Sequence, residues 1–320
     1  MSPKNLKILA VIFLILLAIT VYPVFKTEVV DVIKPVPQNV SLFNERINFD
    51  EVSSVQISNG DQKIDIRRHD DGWKVNDKDA DEEEVKNLIN DLNDMTIGDQ
   101  VSKNEENQPN FGVDNERGSI LKVTSQHDEY EIVVGNKATS DTFYVRKTGS
   151  NEVYLAKGSL KQKVSTNEAS WRDKVIVSLN KEDITKIEYL GTTRFSLEKN
   201  DGKWQYVRSN RREDLEEEDV NKFINLFSPL SAYNFANDTE VTTFNSSRGK
   251  ITIKIFKDAD TISDLLVLEQ RDEEADETKD AESTDTSGGT YMIKNMMLEG
   301  SDIYKVHSYD ISGLTEFLNK

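Results

Sequence analysis

The chain has 320 residues, of which 36% are hydrophobic and 31% are charged, and its net charge is −18. This length predicts about two domains, and the acidic balance argues against a nucleic-acid binder, which needs a basic face to neutralise phosphates. The sequence contains no cysteine, which excludes disulfides, thiolate metal sites, a cysteine nucleophile and a lipid-modified cysteine anchor.

Residues 8–25 form an apolar run of 18 residues without a charge. At about 1.5 Å per residue, a helix of this length nearly spans a hydrocarbon core about 30 Å thick. Lys4 and Lys7 precede the run, so the positive-inside rule predicts a cytoplasmic N-terminus and an exported remainder. We therefore expect residues 1–25 to form a cytoplasmic tip and a single-pass transmembrane anchor in the cell membrane.

A cleaved signal peptide is the main alternative for this run, and a buried core helix is the third. A signal peptide has an apolar core of about 7–15 residues that ends in a small-x-small cleavage site. This run is longer and ends in VYPVF, which favours an uncleaved signal anchor. Residues 26–45 are predicted to form a short stalk, because Pro35 and Pro37 favour extended backbone.

Internal similarity is the strongest signal in the rest of the chain. Two stretches each contain two alternating apolar runs, typical of half-buried strands, followed by an Asp-Gly turn into a third strand with Trp. The first copy has Val52, Val55, Ile57, Ile64, Ile66 and Asp71-Gly72-Trp73, and the second has Ile184, Ile187, Tyr189, Phe195, Leu197 and Asp201-Gly202-Lys203-Trp204.

An amphipathic helix is predicted next in each copy, from apolar residues at helical spacing. The five pairs are Val85 with Val220, Leu88 with Phe223, Ile89 with Ile224, Leu92 with Phe227 and Met95 with Leu230, all at an offset of 135 residues. Acidic residues crowd both helix starts, at 81–84 and 216–219, where negative charge complements the helix dipole.

The similarity continues, and its offset grows. Phe111 and Arg117-Gly118 match Phe244 and Arg248-Gly249, and later strands pair Tyr144 with Tyr291 and Tyr154 with Tyr304. The offset is 131 at Trp73–Trp204 and 147 at Tyr144–Tyr291, so the second copy has gained about 16 residues. Residues 269–289, with nine acids against two bases, lie in that interval and are predicted to be a disordered acidic insertion.

These patterns predict an α+β fold of two tandem modules, each a mostly antiparallel sheet with one amphipathic helix. The modules are expected at residues 46–174 and 175–320. A short helix near residues 160–164 and the segment Trp171-Arg172-Asp173-Lys174 mark the junction. We expect Arg172 to tie the two modules together by a salt bridge.

In the order of these motifs the chain resembles the uncharacterised bacterial family called domain of unknown function 4340, over roughly residues 46–320. The resemblance rests on Asp-Gly-x-Trp, the acidic amphipathic helix, Phe111-Gly112-Val113-Asp114, the strand at residues 143–147 and the Trp171 segment. The second copy departs from the pattern, because Phe244-Asn245 replaces Phe111-Gly112 and the acidic tract interrupts it. The resemblance implies export, one N-terminal anchor and, in some members, genes beside ABC transporter permeases and gliding-motility-type auxiliary subunits. It implies no catalytic residue.

The sequence shows no catalytic, cofactor-binding or metal-binding motif. His69, His127 and His307 share no metal-type spacing and are interpreted as solvated or structural residues. The segment at residues 77–81 begins like a calcium loop, but Glu82 replaces the required Gly, so the acids are interpreted as a helix N-terminal cluster. Trp73 and Trp204 occupy equivalent places and are predicted to be core residues, with ligand stacking as the alternative.

Our leading functional hypothesis is a non-enzymatic, membrane-anchored extracytoplasmic scaffold or accessory protein of the cell envelope. The resemblance adds an association with an ABC-type, gliding-motility-like transport complex, with its permease or auxiliary subunits as partners. The alternative is an extracytoplasmic glycan- or peptide-binding module. An enzyme of unfamiliar type is the third hypothesis, and it would need a pocket with converging carboxylates of perturbed pKa.

Overall fold

The computed structural model describes residues 42–43, 45–270, 289–298, 300 and 302–311. The chain divides into two compact units: the first runs up to Lys78 and includes Glu82–Glu168, and the second combines Asp79–Asp81 with the residues from Ala169 onward. The predicted anchor at 8–25, most of the predicted stalk and nearly all of the acidic tract lie outside the described residues. No helix in the described ranges is long and apolar enough to cross a membrane.

The first unit is built on one nine-stranded antiparallel sheet. Its elements are β1 (Val52–Asn59), β2 (Gln62–His69), β3 (Gly72–Val75), β4 (Lys78–Asp79), α1 (Glu82–Asp94), β5 (Thr96–Ser102), α2 (Gln108–Phe111), β6 (Ser119–Ser125), β7 (Glu129–Lys137), β8 (Thr142–Lys147), β9 (Val153–Lys157) and α3 (Leu160–Lys163). The strand order is β4-β3-β2-β1-β6-β7-β8-β9-β5.

The second unit contains another nine-stranded antiparallel sheet and a two-stranded one. Its elements are β10 (Val175–Val177), β11 (Lys186–Leu190), β12 (Arg194–Asn200), β13 (Lys203–Arg208), β14 (Arg211–Leu215), α4 (Glu217–Asn225), β15 (Leu230–Ser231), β16 (Asn234–Phe235), α5 (Asp238–Ser246), β17 (Ile251–Lys257), β18 (Asp260–Gln270), β19 (Thr290–Asn295) and β20 (Tyr304–His307). The large sheet has the order β14-β13-β12-β11-β17-β18-β19-β20-β16, and β10 pairs with β15. Taken in chain order, the two large sheets are connected in the same way.

Each amphipathic helix buries the apolar stripe that its sequence predicts. Val85, Leu88, Ile89 and Leu92 are buried along α1. In α4 the buried residues are Val220, Phe223 and Ile224. The second helix ends earlier than its apolar pattern, at Asn225, and Phe227 and Leu230 are buried beyond it. Pro229, which lacks a backbone N–H, falls in this stretch and is incompatible with a longer helix.

A second apolar layer covers the opposite face of each sheet and corrects one predicted match. Tyr144 packs with Phe111 in this layer of the first unit, and Met292 packs with Phe244 in the second. Because successive strand residues point to opposite faces, Met292 is the counterpart of Tyr144. The predicted Tyr144–Tyr291 match is therefore wrong by one residue.

Strand pairing also locates the extra residues of the second unit. Ile132 pairs with Leu121 in the first unit, and Leu265 pairs with the equivalent Ile253 in the second. Ile132 therefore corresponds to Leu265, at an offset of 133 residues. Val145 corresponds to Ile293 by the same criterion, with an offset of 148. The second unit therefore has 15 extra residues between β18 and β19, a connection that contains the acidic tract.

The sequence predicts one amphipathic helix in each module, and the second unit has a further helix of nine residues, α5. Its N-cap is Asn237, whose side chain accepts a hydrogen bond from the backbone N–H of Glu240, while the Glu240 side chain accepts one from the backbone N–H of Asn237. This capping box was a readable signal of a helix start. Phe244 packs with Met292 in the second apolar layer and so holds the helix against the sheet.

The Phe111-Gly112-Val113-Asp114 motif is a packed loop in the first unit. Buried Arg146 holds the loop, because its Nε donates to the Val113 carbonyl at 2.9 Å and its Nη2 to Asn115 Oδ1 at 3.1 Å. Gly135 lies under the loop, where a Cβ would be 2.4 Å from the Phe111 carbonyl oxygen. The motif thus has a structural explanation, because the backbone of the loop lies close to the backbone of Gly135.

We predict that Gly135→Ala destabilises the first unit by about 1–3 kcal/mol, because the added methyl group overlaps the loop backbone. Urea denaturation followed by far-UV circular dichroism measures the change. Gly249→Ala is the matched control, since nothing lies within 4 Å of its Cβ position. Equal effects of the two substitutions would contradict the close approach.

Candidate functional site

The second unit contains a cleft of about 460 Å³ beside its tryptophan. Its walls come from the turn before β11, from the β12–β13 hairpin, and from α4 with the residues after it. The lining residues are Leu179, Asn180, Lys181, Glu182, Lys199, Trp204, Glu217, Asn221, Ile224 and Ser228.

Three local structures position the cleft residues. Glu217, Asn221 and Ile224 follow the i, i+4, i+7 spacing of one helix face, so α4 presents them together. Lys199 and Trp204 are direct cross-strand partners in the β12–β13 hairpin and therefore share a sheet face. The Lys199 Nζ lies 5.9 Å from the centroid of the Trp204 ring.

The third wall is a short 3-10 helix, Lys181–Asp183, that precedes β11. Its N-cap is Asn180, whose side chain accepts a hydrogen bond from the backbone N–H of Glu182. At the foot of the cleft the Ser228 hydroxyl donates to the Leu179 carbonyl. These bonds hold the turn against the residues that follow α4.

In the first unit an aromatic ring occupies the position that corresponds to this cleft. The equivalent 3-10 helix is Phe49–Glu51, with Asn48 as its N-cap. The ring of Phe49 stacks on Trp73 with centroids 5.7 Å apart and planes at 25°. Arg68, the cross-strand partner of Trp73, lies over both rings and donates to the carbonyls of Phe49 and Asp50.

The comparison of the two units explains why the cleft is open. Lys181 stands where the first unit has Phe49, since each is the first residue of the capped 3-10 helix. Lys199 likewise stands where the first unit has Arg68, since each pairs with the tryptophan. A ring that covers Trp73 is thus replaced by an exposed lysine, and one side of Trp204 lines a cavity.

The charged groups of the cleft are uncompensated within the described part of the chain. Lys181, Lys199, Glu182 and Glu217 line the cleft, and none of them has an ion pair or a side-chain hydrogen bond to another described residue. By contrast, Lys222 on the exposed side of α4 pairs with Glu218 at 3.4 Å. Two cations and two anions therefore line the cleft without an ion pair or side-chain hydrogen bond to any residue that the structure describes.

Trp73 and Trp204 are each 3% exposed, which confirms the prediction that both are core residues. Trp204 also contributes to the wall of the cleft, and the alternative of ligand stacking stays a prediction. The structure brings none of the three histidines to this cleft. His69 and His127 are exposed, and His307 stacks between Tyr233 and Tyr309.

The structure describes no group of three or more His, Cys, Asp or Glu residues that could hold a metal ion in the ranges it covers. The calcium-like segment contains Asp79–Asp81, which pairs instead with the Trp171 segment. Asp81 donates its N–H to the Trp171 carbonyl at 2.8 Å, and Asp173 donates its N–H to the Asp79 carbonyl at 2.9 Å.

Arg172 forms a salt bridge with Asp302. Both residues belong to the second unit, so this bridge lies within one unit and is not the predicted tie between the two. Its guanidinium carbon lies 3.6 Å from the ring centroid of Phe235. Burial raises the pKa of the neighbouring Tyr304 to about 12, and the carboxylates of Asp302 and Asp173 contribute to the rise.

Comparison with known proteins gives one match. The model of the family described as Domain of unknown function (DUF4340) matches residues 75–247, which is just over half of the chain. No curated protein matches the chain. No solved structure matches it either.

We predict that Phe49→Ala destabilises the first unit by about 1–3 kcal/mol, because it removes the ring that stacks on Trp73 and faces Arg68. Lys181→Ala at the equivalent place should change stability by less than about 0.5 kcal/mol, since Lys181 is exposed. Urea denaturation followed by circular dichroism measures both. Similar losses of stability in the two variants would refute the conclusion that a packed ring covers Trp73 while an exposed lysine stands beside Trp204.

Proposed function

Because the chain belongs to the DUF4340 family, whose function is unknown, we propose a role from its own residues: an extracytoplasmic binding protein of the cell envelope. Residues 8–25 hold it in the membrane as a single-pass anchor. The second unit binds a small peptide or glycan segment in the Trp204 cleft. The two units are copies of one module, and the first has the equivalent place closed.

The observation that carries this proposal is the open cleft over Trp204, seen against the filled place over Trp73. Its volume of about 460 Å³ falls in the range of roughly 300–1,000 Å³ that is usual for small-ligand sites. Leu179, Trp204 and Ile224 supply its apolar surface, and the other seven lining residues are polar or charged. Packing alone favours a ring at this position, as in the first unit, so the lysine supports a binding role.

Binding fits the cleft better than catalysis. Nucleophilic catalysis requires a nucleophile next to a base. Ser228 is the hydroxyl residue that lines the cleft, and its hydroxyl donates a hydrogen bond to the Leu179 carbonyl. We therefore assign the site a non-enzymatic role, with no cofactor.

The membrane location rests on the sequence. An apolar run of 18 residues after two lysines favours an anchor with a cytoplasmic N-terminus. The net charge of −18 suits an exported, self-repelling surface. A cysteine-free chain also tolerates an oxidising compartment.

We predict that Lys181→Phe abolishes ligand binding, because the new ring stacks on Trp204 as Phe49 does on Trp73. Detergent-solubilised full-length protein is titrated with trialanine and with the N-acetylglucosamine tetramer, and tryptophan fluorescence is recorded. We expect saturable binding of one of them, lost in Lys181→Phe. Lys203→Phe is the control, because Lys203 adjoins Trp204 but lies outside the cleft. Unaltered binding in Lys181→Phe would sink the proposal.

A second candidate function is an accessory subunit of an ABC-type, gliding-motility-like transport complex. An exposed apolar tip between β19 and β20 favours it: Met296, Met297 and Leu298 are 50%, 52% and 45% exposed. Exposed apolar groups in succession favour contact with another protein, and methionine adapts well to such surfaces. A permease or auxiliary subunit would be the partner.

We expect affinity purification from native membranes to recover a permease or ATPase with the wild-type chain and to lose it with a Met296→Ser, Met297→Ser double variant. Removing the apolar contact weakens the complex, while the fold is retained because both side chains are exposed. Leu190→Ser, which changes another exposed apolar residue, is the control. Recovery of no transporter component with the wild type would refute this second function.

A further inference from the structure

Resting on the proposed function of the Trp204 cleft, we propose that its ligand is a zwitterion, a short peptide with free ends. The peptide carboxylate lies between Lys181 and Lys199, and the ammonium group faces Glu217. The apolar side chains of the peptide lie against Trp204 and Ile224.

The charged side chains that line the cleft indicate a ligand with charges of both signs. The cleft is lined by two lysines and two glutamates, so its formal charge is zero in a chain whose net charge is −18. A purely anionic ligand would meet Glu182 and Glu217, and a purely cationic ligand would meet the lysines. A ligand with one group of each sign satisfies both sets.

The charges are also separated between the walls. Lys199 comes from the sheet and Lys181 from the 3-10 turn, whereas Glu217 comes from the first turn of α4. The helix wall is therefore negative and the sheet wall is positive, while the 3-10 turn carries one charge of each sign, Lys181 and Glu182. This arrangement orients a dipolar ligand across the cleft.

The lack of protein partners makes these charges available. Arg68, in the first unit, donates to two backbone carbonyls. Neither Lys199 nor Lys181 has a hydrogen-bond acceptor among the described residues, so the donors of both are free for a ligand. Charge-assisted hydrogen bonds to a carboxylate are stronger than neutral ones.

The neutral groups of the cleft suit a peptide backbone. Asn221 lies one helical turn after Glu217 and carries both an amide donor and an amide acceptor. Its side chain has no hydrogen-bond partner within the described residues. It can pair with a peptide group between the two charged ends, while Leu179 and Ile224 contact apolar side chains.

Calorimetric titration of the full-length protein with trialanine, its C-terminal amide and its N-acetyl derivative tests the proposal. We expect each blocked peptide to bind at least about tenfold more weakly, since it loses one charge-assisted hydrogen bond. Lys199→Gln should weaken trialanine but leave the amide unchanged. Glu217→Gln should weaken trialanine but leave the acetyl derivative unchanged.

The control is Lys203→Gln, which removes a neighbouring lysine outside the cleft and should leave all three affinities unchanged. Equal affinities for free and blocked trialanine would overturn the zwitterion. Binding of the N-acetylglucosamine tetramer but not of trialanine, lost in Lys181→Phe, would also overturn it and leave the proposed function standing. If none of these probes binds saturably, the zwitterion and the binding function both fail.

Discussion

Burial of one helix stripe on one face of an antiparallel sheet is the interaction on which each unit depends. Val85 and Leu88 in the first unit, and Val220 and Phe223 in the second, are fully buried. Since burial of each large apolar side chain contributes about 1.5–3 kcal/mol, the helix cannot shift on the sheet without a large loss. The hairpin tryptophan lies at the rim of this contact, where the turn before the first sheet strand meets it.

The residue that lies next to that tryptophan belongs to the 3-10 turn and not to the helix contact, so its identity can differ between the two units. The 3-10 turn keeps its cap, Asn48 or Asn180, in both units. Its first residue contributes either a ring or a charged chain without altering the backbone. The second unit therefore retains the fold while a cleft lies beside its tryptophan. Two units with the same strand order allow this division, because one of them can stay filled and stable.

Much of this architecture could be predicted from the sequence, because burial imposes a period on it. The helix stripes, the strand pairs and both buried tryptophans follow from such periods. The cleft could not be found in the same way, since it results from a change at one position, Phe49 to Lys181, that has no period. Pairwise matching also misaligned Tyr144 with Tyr291, because both faces of that strand are apolar and only packing distinguishes them.

The ends of the two large sheets have a consequence for the behaviour of the protein at high concentration. An exposed edge strand offers unpaired backbone groups to other molecules and is a common start of aggregation. Here β4 and β16 have two residues each, and β5 has irregular register. The edge strand β14 carries four charged residues in its five, 211–214. Short, bulged and charged edges resist edge-to-edge association, so two large sheets can share one chain and remain dispersed.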